Sequence, residues 1–394
     1  MKNEQNNLMN ILLINVQAVM PHGCFMVAIH IVGKKIVDII SEKELQKGLI
    51  QWENTPTIVD FEGDIVIPGL IDLHVHGCGG ADTMDASAAE LGNMATALLH
   101  QGTTAFLATT MTSSDAILRD VLSVGKSFHS TDQQAKFLGF HLEGPCISPD
   151  FRGAQKVSGS SDSVMNLPGN AGKVKILTFA PELPAAGSYM KWAKETGVIL
   201  STGHSGASYE EMKTAIEEGV RYLTHAFNAM PGIHHRAPGL LAAALLDPRV
   251  TIELIADGVH VHPAVLEMAV RLKGVERVVL VSDGTRAVGM PDGEYDLGGQ
   301  QVRLSRGKMT LPNGTIAGSA QPLLAGIRFM TEVVGRPLHE AVRMATLNPA
   351  TLLGIENNCG TLHSCSLATF LRLTPELKLK EVWVRGRCQY STPS

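Results

Sequence analysis

Histidines and carboxylates recur in short motifs along the middle of this chain. The first motif, His74-Val-His76, places two imidazoles on the same face if the segment is a strand, because side chains alternate along a strand. Two neutral imidazoles arranged in this way can chelate one divalent metal ion. Further candidate ligands occur in five later motifs: His141-Leu-Glu143, Gly203-His204-Ser205, Thr224-His225, Asp257-Gly-Val-His260-Val-His262 and Ser282-Asp283-Gly284. The pattern predicts a metal centre built from distant parts of the chain.

The chemistry that such a centre supports is metal-assisted hydrolysis. A bound divalent metal lowers the pKa of water to about 7 and so supplies hydroxide near neutral pH. A nearby carboxylate can accept the proton of that water and return it to the leaving group, and Asp283 is the candidate for this role. An aspartate before glycine is also common as a turn or cap residue, and a lone His-x-His is often a structural pair. The motifs together favour the metal centre, because burying so many polar groups without a ligand would be costly.

Each motif lies at the end of a short apolar run of strand character, and the stretches between the runs have helical character. Two of these stretches open with a capping box, Ser87 with Glu90 and Ser208 with Glu211. Eight alternating units predict an α/β fold, a closed (β/α)8 TIM-like barrel over residues 65–359, in which all strand ends meet at one face. A doubly wound open sheet is the alternative. The eight runs are 65–76, 103–110, 136–144, 174–182, 198–205, 220–228, 250–258 and 275–284.

Both ends of the chain have a different pattern, with short alternating strands and little helix. The predicted strands are 11–18, 26–32, 35–40, 368–373 and 381–385. They predict a small β-sandwich domain built from residues 1–64 plus 360–394, beside the barrel.

Charge and cysteine content limit the possible partners and location. The net charge of −5 gives no reason to expect nucleic acid or an anionic membrane as partner, since both select basic surfaces. The six cysteines form no CxxC pair, which is typical of reduced thiols. Residues 1–10 are polar, and the apolar run 11–14 is too short for a signal-peptide core. No apolar run is long enough to span a bilayer, so the sequence predicts a cytoplasmic protein.

The motifs also resemble those of a known family. Pro68-Gly-Leu-Ile-Asp-Leu-His74-Val-His76, followed by separate His204, His225 and Asp283, resembles the amidohydrolase superfamily. More narrowly, His141-Leu-Glu143-Gly-Pro, Asn228-Ala229-Met230-Pro231 with Arg236 after it, and Ala317-Gly318-Ser319 resemble the N-acetylglucosamine-6-phosphate deacetylases. The resemblance covers nearly the whole chain. It implies hydrolysis of N-acetyl-D-glucosamine 6-phosphate to D-glucosamine 6-phosphate and acetate.

The resemblance also implies roles for the individual ligands. Glu143, His204 and His225 would bind the main metal, while His74 and His76 would supply a second metal position. Asp283 would be the catalytic acid and base. The implied cofactor is a divalent metal, Zn²⁺ or Fe²⁺, with one or two ions per subunit.

On the substrate side, Gln155 stands where the family often has a histidine that contacts substrate. A glutamine can donate a hydrogen bond but cannot become cationic. The resemblance implies phosphate binding by Asn228, by the backbone N–H of Ala229 and by Arg236, and a sugar or phosphate contact by His260. In relatives a residue of the Arg236 loop reaches the neighbouring subunit, which implies a homodimer. His262 is interpreted as a surface histidine, and Asp257 as a brace for its loop.

Three other functions remain possible from the sequence. The first is the same reaction on N-acetyl-D-galactosamine 6-phosphate. The second is another amidohydrolase, such as a cyclic amidase or deaminase, although those usually carry a bridging lysine where this chain has Glu143. The third is a non-catalytic metal-binding barrel, which would be expected to lack at least one of the ligands or the acid. All of them are present.

Overall fold

The structure is a computed structural model that describes residues 9–47, 52, 54–156 and 173–393. Residues 1–8 of the polar start lie outside the described residues. So do residues 48–51, 53 and 394 of the predicted small domain and residues 157–172 of the predicted barrel.

The described residues form strands and short helices in alternation through most of the chain. The strands are Asn10–Met20 (β1), Gly23–Val32 (β2), Lys35–Ser41 (β3), Thr57–Asp60 (β4), Ile65–Pro68 (β5), Leu70–Val75 (β6), Gly77–Cys78 (β7), Ala81–Asp82 (β8), Thr103–Thr110 (β9), Lys136–Glu143 (β10), Val174–Phe179 (β11), Ile199–Thr202 (β12), Tyr222–Leu223 (β13), Thr251–Ile255 (β14), Val278–Val281 (β15), Gly293–Leu297 (β16), Gln300–Ser305 (β17), Lys308–Thr310 (β18), Ile316–Ser319 (β19), Phe370–Leu373 (β20), Leu379–Val384 (β21) and Arg387–Ser391 (β22). The helices are Glu42–Gln46 (α1), Ala88–His100 (α2), Asp115–Ser127 (α3), Ala186–Thr196 (α4), Tyr209–Glu217 (α5), Gly239–Leu246 (α6), Pro263–Lys273 (α7), Leu323–Glu332 (α8), Leu338–Ala345 (α9) and Leu347–Leu353 (α10).

Eight parallel strands form the predicted barrel, in the order β15-β14-β13-β12-β11-β10-β9-β6. A parallel bridge between Val75 and Gly284 joins the last strand to the first. The strands are almost entirely buried, as expected for parallel strands covered by helices outside and side chains inside. The barrel prediction is confirmed over the open doubly wound sheet.

The first predicted run is divided between two sheets. β5 pairs with β1 and β20 in the sheet of the chain ends, whereas β6 pairs with β9 in the barrel. Gly69 separates them, and a Cβ there would lie 2.2 Å from Oγ1 of Thr104, so only glycine allows this close approach. The chain therefore passes from one sheet to the other within a single residue.

Both chain ends contribute to one small sheet, in the order β22-β21-β20-β5-β1-β2-β3, with β4 beside β1. All five predicted terminal strands are present, and β4, β5 and β22 join them. This sheet has its own apolar core around Phe61, Phe370 and Trp383. The Arg372 guanidinium donates to Asp64 at 2.6 Å, which links the two ends of the chain. The domain division at residues 64 and 360 remains a prediction.

A four-stranded antiparallel sheet, β16 to β19, follows the last barrel strand. The sequence analysis did not predict it. Its core of Leu297, Val302, Leu304 and Met309 packs with Met111, which follows barrel strand β9. The insertion therefore lies at the face of the barrel where the strands end.

Of the two predicted capping boxes, one is complete in the structure and the other has only one of its two hydrogen bonds. Ser208 and Glu211 form the reciprocal capping box of α5. Ser87 caps α2 by accepting from the backbone N–H of Glu90, but the Glu90 carboxylate accepts from Asn93 instead. The longest described helices, α2 and α3, have 13 residues each. None of the helices in the described ranges has the length and apolar character needed to cross a membrane.

Candidate metal centre and substrate cavity

The ends of the barrel strands aim the candidate ligands at one point. Glu143 is the last residue of β10, while His204, His225 and Asp283 each lie two residues beyond a strand end. These three residues have positive φ angles of 48°, 29° and 48°. Left-handed backbone is uncommon outside glycine and tends to occur at functional sites. The unusual turns direct all three side chains towards the barrel axis.

Backbone hydrogen bonds hold the Asp283 turn in place. The Asp283 N–H donates to the carbonyl of His74 at 2.9 Å, and the Asp283 carbonyl accepts from Ser319 N at 2.8 Å. Gly318, in the Ala-Gly-Ser motif, lies against this turn, and a Cβ there would lie 2.9 Å from the Asp283 carbonyl oxygen. The motif is therefore explained by the close packing of β19, which ends at Ser319, on the Asp283 turn.

Glu143, His204 and His225 form the first ligand set. The Glu143 Oε1 atom lies 3.0 Å from His204 Nε2 and 2.9 Å from His225 Nε2. The two imidazole nitrogens are 3.0 Å apart. All three side chains are buried. The predicted main set thus converges as expected.

His74, His76 and Asp283 form a second set beside the first. Asp283 Oδ1 lies 3.4 Å from His74 Nε2 and 3.3 Å from His76 Nε2. Glu143 lies between the sets, with Oε1 3.5 Å from His74 Nε2 and Oε2 3.3 Å from His76 Nε2. The two sets are therefore adjacent and share one carboxylate.

In three histidines the Nδ1 atom contacts an oxygen outside the ligand sets, and this contact shows which ring nitrogen is free to bind a metal. Nδ1 of His204 contacts the Phe151 carbonyl at 2.9 Å, and Nδ1 of His76 contacts the Thr109 carbonyl at 3.2 Å. Nδ1 of His74 contacts the Glu253 carboxylate at 3.0 Å. Carbonyl and carboxylate oxygens only accept, so each Nδ1 carries the hydrogen in the neutral ring. Each Nε2 then presents a lone pair to the centre.

The buried carboxylates require compensating positive charge. Burial raises the pKa of the Asp283 carboxyl, but His74 and His76 outweigh this and hold it at about 2. Burial also raises the pKa of Glu143, yet His74 and His204 keep it well below its ordinary value. Conversely, burial lowers the pKa of His76, and Asp283 and Glu143 raise it to about 9. Either protons on the imidazoles or a metal cation must balance these charges.

This donor set fits a divalent metal ion. The lone pairs of the histidine Nε2 atoms and of the Glu143 oxygens face one another at about the length of a hydrogen bond. A cation between these atoms would attract all of the lone pairs and so replace the repulsion between them. Histidine nitrogen and carboxylate oxygen are ordinary ligands of zinc and of other first-row metals. The outer hydrogen bonds to carbonyls and a carboxylate match the supporting contacts typical of metal-binding histidines.

Gln155 is buried beside Glu143. Its amide N–H₂ donates to Glu143 Oε2, and its Oε1 accepts from the Thr112 N–H at 2.7 Å. Both ends of the amide are therefore engaged with the protein. A contact from Gln155 to a substrate would require one of these bonds to exchange.

A cavity of about 220 Å³ opens onto the ligand sets. His260 lines it and is held by Asp257, whose Oδ2 lies 2.7 Å from His260 Nδ1. Burial lowers the pKa of His260, but the Asp257 hydrogen bond and charge raise it above its ordinary value overall. Asp257 also accepts from the backbone N–H groups of Val259 and His260, which confirms its bracing role. The exposed His262 caps α7 by accepting from Ala264 N at 3.1 Å.

Of the three predicted phosphate-binding residues, two line the cavity and one lies outside its lining. Asn228 and Ala229 line the cavity, and Ala229 has a φ of 53°. Arg236 is exposed on the following loop, is not among the described residues that line the cavity, and contacts His235 Nε2 at 2.7 Å. The structure brings Asn228 and Ala229 to the metal centre but not Arg236.

Two groups of functional interest were missed from the sequence. Glu253, in the middle of β14, supports His74, and an ionisable residue within an apolar strand was the available signal. The insertion contributes Leu297, Thr315 and Ile316 to the cavity wall. Its signals were the glycine-rich turns at Gly298-Gly299 and Asn313-Gly314.

Comparison with known proteins gives consistent similarities. The family model described as the amidohydrolase family matches residues 65–388. An N-acetylglucosamine-6-phosphate deacetylase of Lysinibacillus sphaericus is 40% identical over 340 residues, which are 85% of this chain and 88% of that protein. An N-acetylgalactosamine-6-phosphate deacetylase of Escherichia coli O157:H7 is 32% identical over 84% of this chain and 89% of that protein. The crystal structure of N-acetylglucosamine-6-phosphate deacetylase from Pasteurella multocida superimposes with a TM-score of 0.88 at 28% identity, covering 98% of this chain and 100% of that one.

Proposed function

The chain belongs to the amidohydrolase family, among the N-acetylglucosamine-6-phosphate deacetylases, and from that premise we propose that it hydrolyses N-acetyl-D-glucosamine 6-phosphate to D-glucosamine 6-phosphate and acetate. The observation that carries the proposal is the convergence of Glu143, His204 and His225 with Asp283 at one cavity. This is the arrangement that hydrolysis of an unreactive acetamide needs.

The family implies a divalent metal cofactor, and the residues that would hold it are those of the two ligand sets. When bound, the metal supplies a Lewis acid that lowers the pKa of water and polarises a carbonyl. We propose Zn²⁺ or Fe²⁺ as the ion. The two adjacent sets, Glu143 with His204 and His225, and His74 with His76, support one or two ions per subunit.

Asp283 is proposed to move the proton. An ionised carboxylate in this position can accept a proton from the attacking water. The new C–O bond forms at the acetyl carbon, and the C–N bond then breaks. Asp283 returns the proton to the departing nitrogen, giving the free amine and acetate. The backbone hydrogen bonds of the Asp283 turn to His74 and Ser319 would hold the carboxylate beside His74 and His76 through both steps.

Substrate binding is proposed to use the cavity rim. His260, with its raised pKa, can donate a charged hydrogen bond to a sugar hydroxyl or to the phosphate. Asn228 and Ala229 also line the cavity. The Ala229 N–H suits a phosphate oxygen, whereas the Asn228 amide donates to the carbonyls of His225 and Ala226 and would have to exchange one of these bonds to reach the phosphate. Gln155 is also proposed to contact the substrate. To do so, its amide would have to give up its hydrogen bond to Glu143 or to Thr112.

Arg236 supports the proposal of a homodimer. A phosphate on a protein of net charge −5 needs local cations, and a guanidinium binds phosphate in a bidentate manner. Because Arg236 is exposed and is not among the described residues that line the cavity, we propose that it completes the phosphate site of the partner subunit. We also propose a cytoplasmic location, supported by the six cysteines, which are all free thiols.

The second candidate is the galactosamine epimer. The Escherichia coli relative named as an N-acetylgalactosamine-6-phosphate deacetylase matches over a similar share of the chain, and this similarity favours the galactosamine substrate as the second candidate. The test is a parallel measurement of kcat/KM on both N-acetyl 6-phosphates, with metal content determined on protein purified without chelators. A clear preference for the galactosamine substrate would replace the glucosamine assignment. Activity on neither would refute the proposed function.

A further inference from the structure

Glu253 is an ionisable residue in the apolar barrel strand β14. Its side chain is fully buried, with 0% exposure, and it is not among the described residues that line the cavity. It therefore cannot touch a substrate in the cavity. Burying a carboxylate is costly unless its charge and lone pairs are used.

The Glu253 carboxylate joins two ligand histidines through one oxygen. Oε2 lies 3.0 Å from His74 Nδ1 and 2.9 Å from the backbone nitrogen of His225. The first contact requires the hydrogen of His74 on Nδ1, which leaves Nε2 free for the centre. The second contact stabilises the His225 backbone, whose φ of 29° is unfavourable for a non-glycine residue.

We propose that Glu253 is a positioning residue for the metal centre, acting on both ligand sets at once. It fixes the tautomer and ring orientation of His74 in one set, and it holds the turn that aims His225 in the other. This role rests on the proposed metal-dependent function but not on the identity of the substrate.

The charge of Glu253 contributes as well as its hydrogen bonds. The carboxylate also faces Tyr222: burial, the charge of Glu253 and a hydrogen bond to it raise the pKa of the Tyr222 hydroxyl well above its ordinary value. One imidazole separates this negative charge from the metal position, so the charge raises the basicity of His74 towards a cation.

The test compares Glu253→Gln with Glu253→Met. Glutamine retains an oxygen that can accept from His74 and His225 but loses the charge, while methionine has a similar shape and no acceptor of comparable strength. Zinc affinity is measured by competition with a chromophoric chelator, alongside kcat and KM. Asp64→Asn is the matched control, since it removes the charge of a buried carboxylate that pairs with Arg372 and is not among the described residues that line the cavity.

We expect zinc affinity to fall by about 10- to 100-fold in Glu253→Met and by less in Glu253→Gln. The kcat value should fall with affinity while KM changes little, because Glu253 does not reach the cavity. Asp64→Asn should lose thermal stability with zinc affinity unchanged. Zinc affinities within twofold of the unsubstituted protein in both Glu253 variants would overturn the proposal.

A spectroscopic measurement needs no variant of Glu253. Histidine ¹⁵N–¹H correlation spectra of the zinc-loaded protein report which ring nitrogen carries hydrogen, with His74 assigned from the signal lost in His74→Asn. The proposal requires hydrogen on Nδ1 of His74, and hydrogen on Nε2 would refute it. Tight zinc binding that depends on Glu253 in a protein inactive on either sugar phosphate would refute the proposed function while leaving this inference intact.

Discussion

Replacement of Asp283 by asparagine tests the proposed proton transfer with little change in shape. Asparagine tolerates left-handed backbone better than most residues, so the turn at φ 48° should persist. The hydrogen bonds from this turn to His74 and Ser319 are made by backbone atoms and remain. Glu143, His204 and His225 contact one another without Asp283, so the first ligand set should keep its metal.

The expected loss of rate follows from the groups that line the cavity. Loss of a general acid–base typically costs 10²- to 10⁴-fold, or about 3 to 5 kcal/mol of barrier. Among the described residues that line the cavity, the only other carboxylate is Glu143. Its oxygens already contact His204, His225 and Gln155. With no second free carboxylate among the described residues that line the cavity, we expect kcat of Asp283→Asn to fall by about 10³- to 10⁴-fold.

The assay follows acetate release from N-acetyl-D-glucosamine 6-phosphate, with metal content measured on the same samples. Asp247→Asn is the control, because Asp247 is a buried carboxylate at the end of α6 that pairs with Arg249. It should lose stability and keep its kcat. If Asp283→Asn with normal metal content turns over within tenfold of the unsubstituted enzyme, a difference of about 1.4 kcal/mol, Asp283 is not the acid–base group.

Three further predictions concern phosphate, metal and protons. Arg236→Ala should raise KM for the phosphorylated sugar by about tenfold or more, because a hydrogen bond to a charged group is lost, and should leave KM for the unphosphorylated sugar unchanged. An unchanged preference for the phosphorylated over the unphosphorylated sugar would exclude Arg236 from the phosphate site. Gln155→Ala should weaken zinc binding more than it raises KM, because the Gln155 amide bonds to Glu143; the opposite ranking would favour a direct substrate contact. His76, with a pKa of about 9 in the metal-free protein, is protonated at pH 7.5 and must be neutral to bind metal. Calorimetric zinc titrations in buffers of different ionisation enthalpy should therefore show release of about one proton or more, and no release would contradict the charge balance described for the site.

The sequence predicted the barrel and the convergence of the polar motifs at one face because both depend on local patterns. Apolar runs define the strands, and each polar motif stands at the end of one. The predicted runs nevertheless extended too far, since 220–228 contains only the two-residue strand β13. The chain leaves the strand there because His225 and Phe227 adopt positive φ angles, and a histidine at such an angle has no distinct sequence signal.

Other features depend on contacts between distant segments, which a single sequence does not show. Glu253 could be identified as unusual only by its place in an apolar strand, but its partner His74 lies 179 residues away. The exposure of Arg236 depends on the course of its loop. The division of residues 65–76 between two sheets depends on the packing of Gly69 on Thr104.

The closure of the barrel between its last and first strands has a consequence for how the protein becomes active during synthesis. The first and last strands meet at the bridge between Val75 and Gly284, and His74 and Asp283 stand on opposite sides of it. Ser319, which fastens the Asp283 turn, comes later still in the chain. A nascent polypeptide therefore cannot assemble the His74, His76 and Asp283 set until its last barrel strand and the following insertion have left the ribosome. If Asp283 has the proposed role, chains truncated before residue 283 should be inactive even when most of their barrel strands have folded.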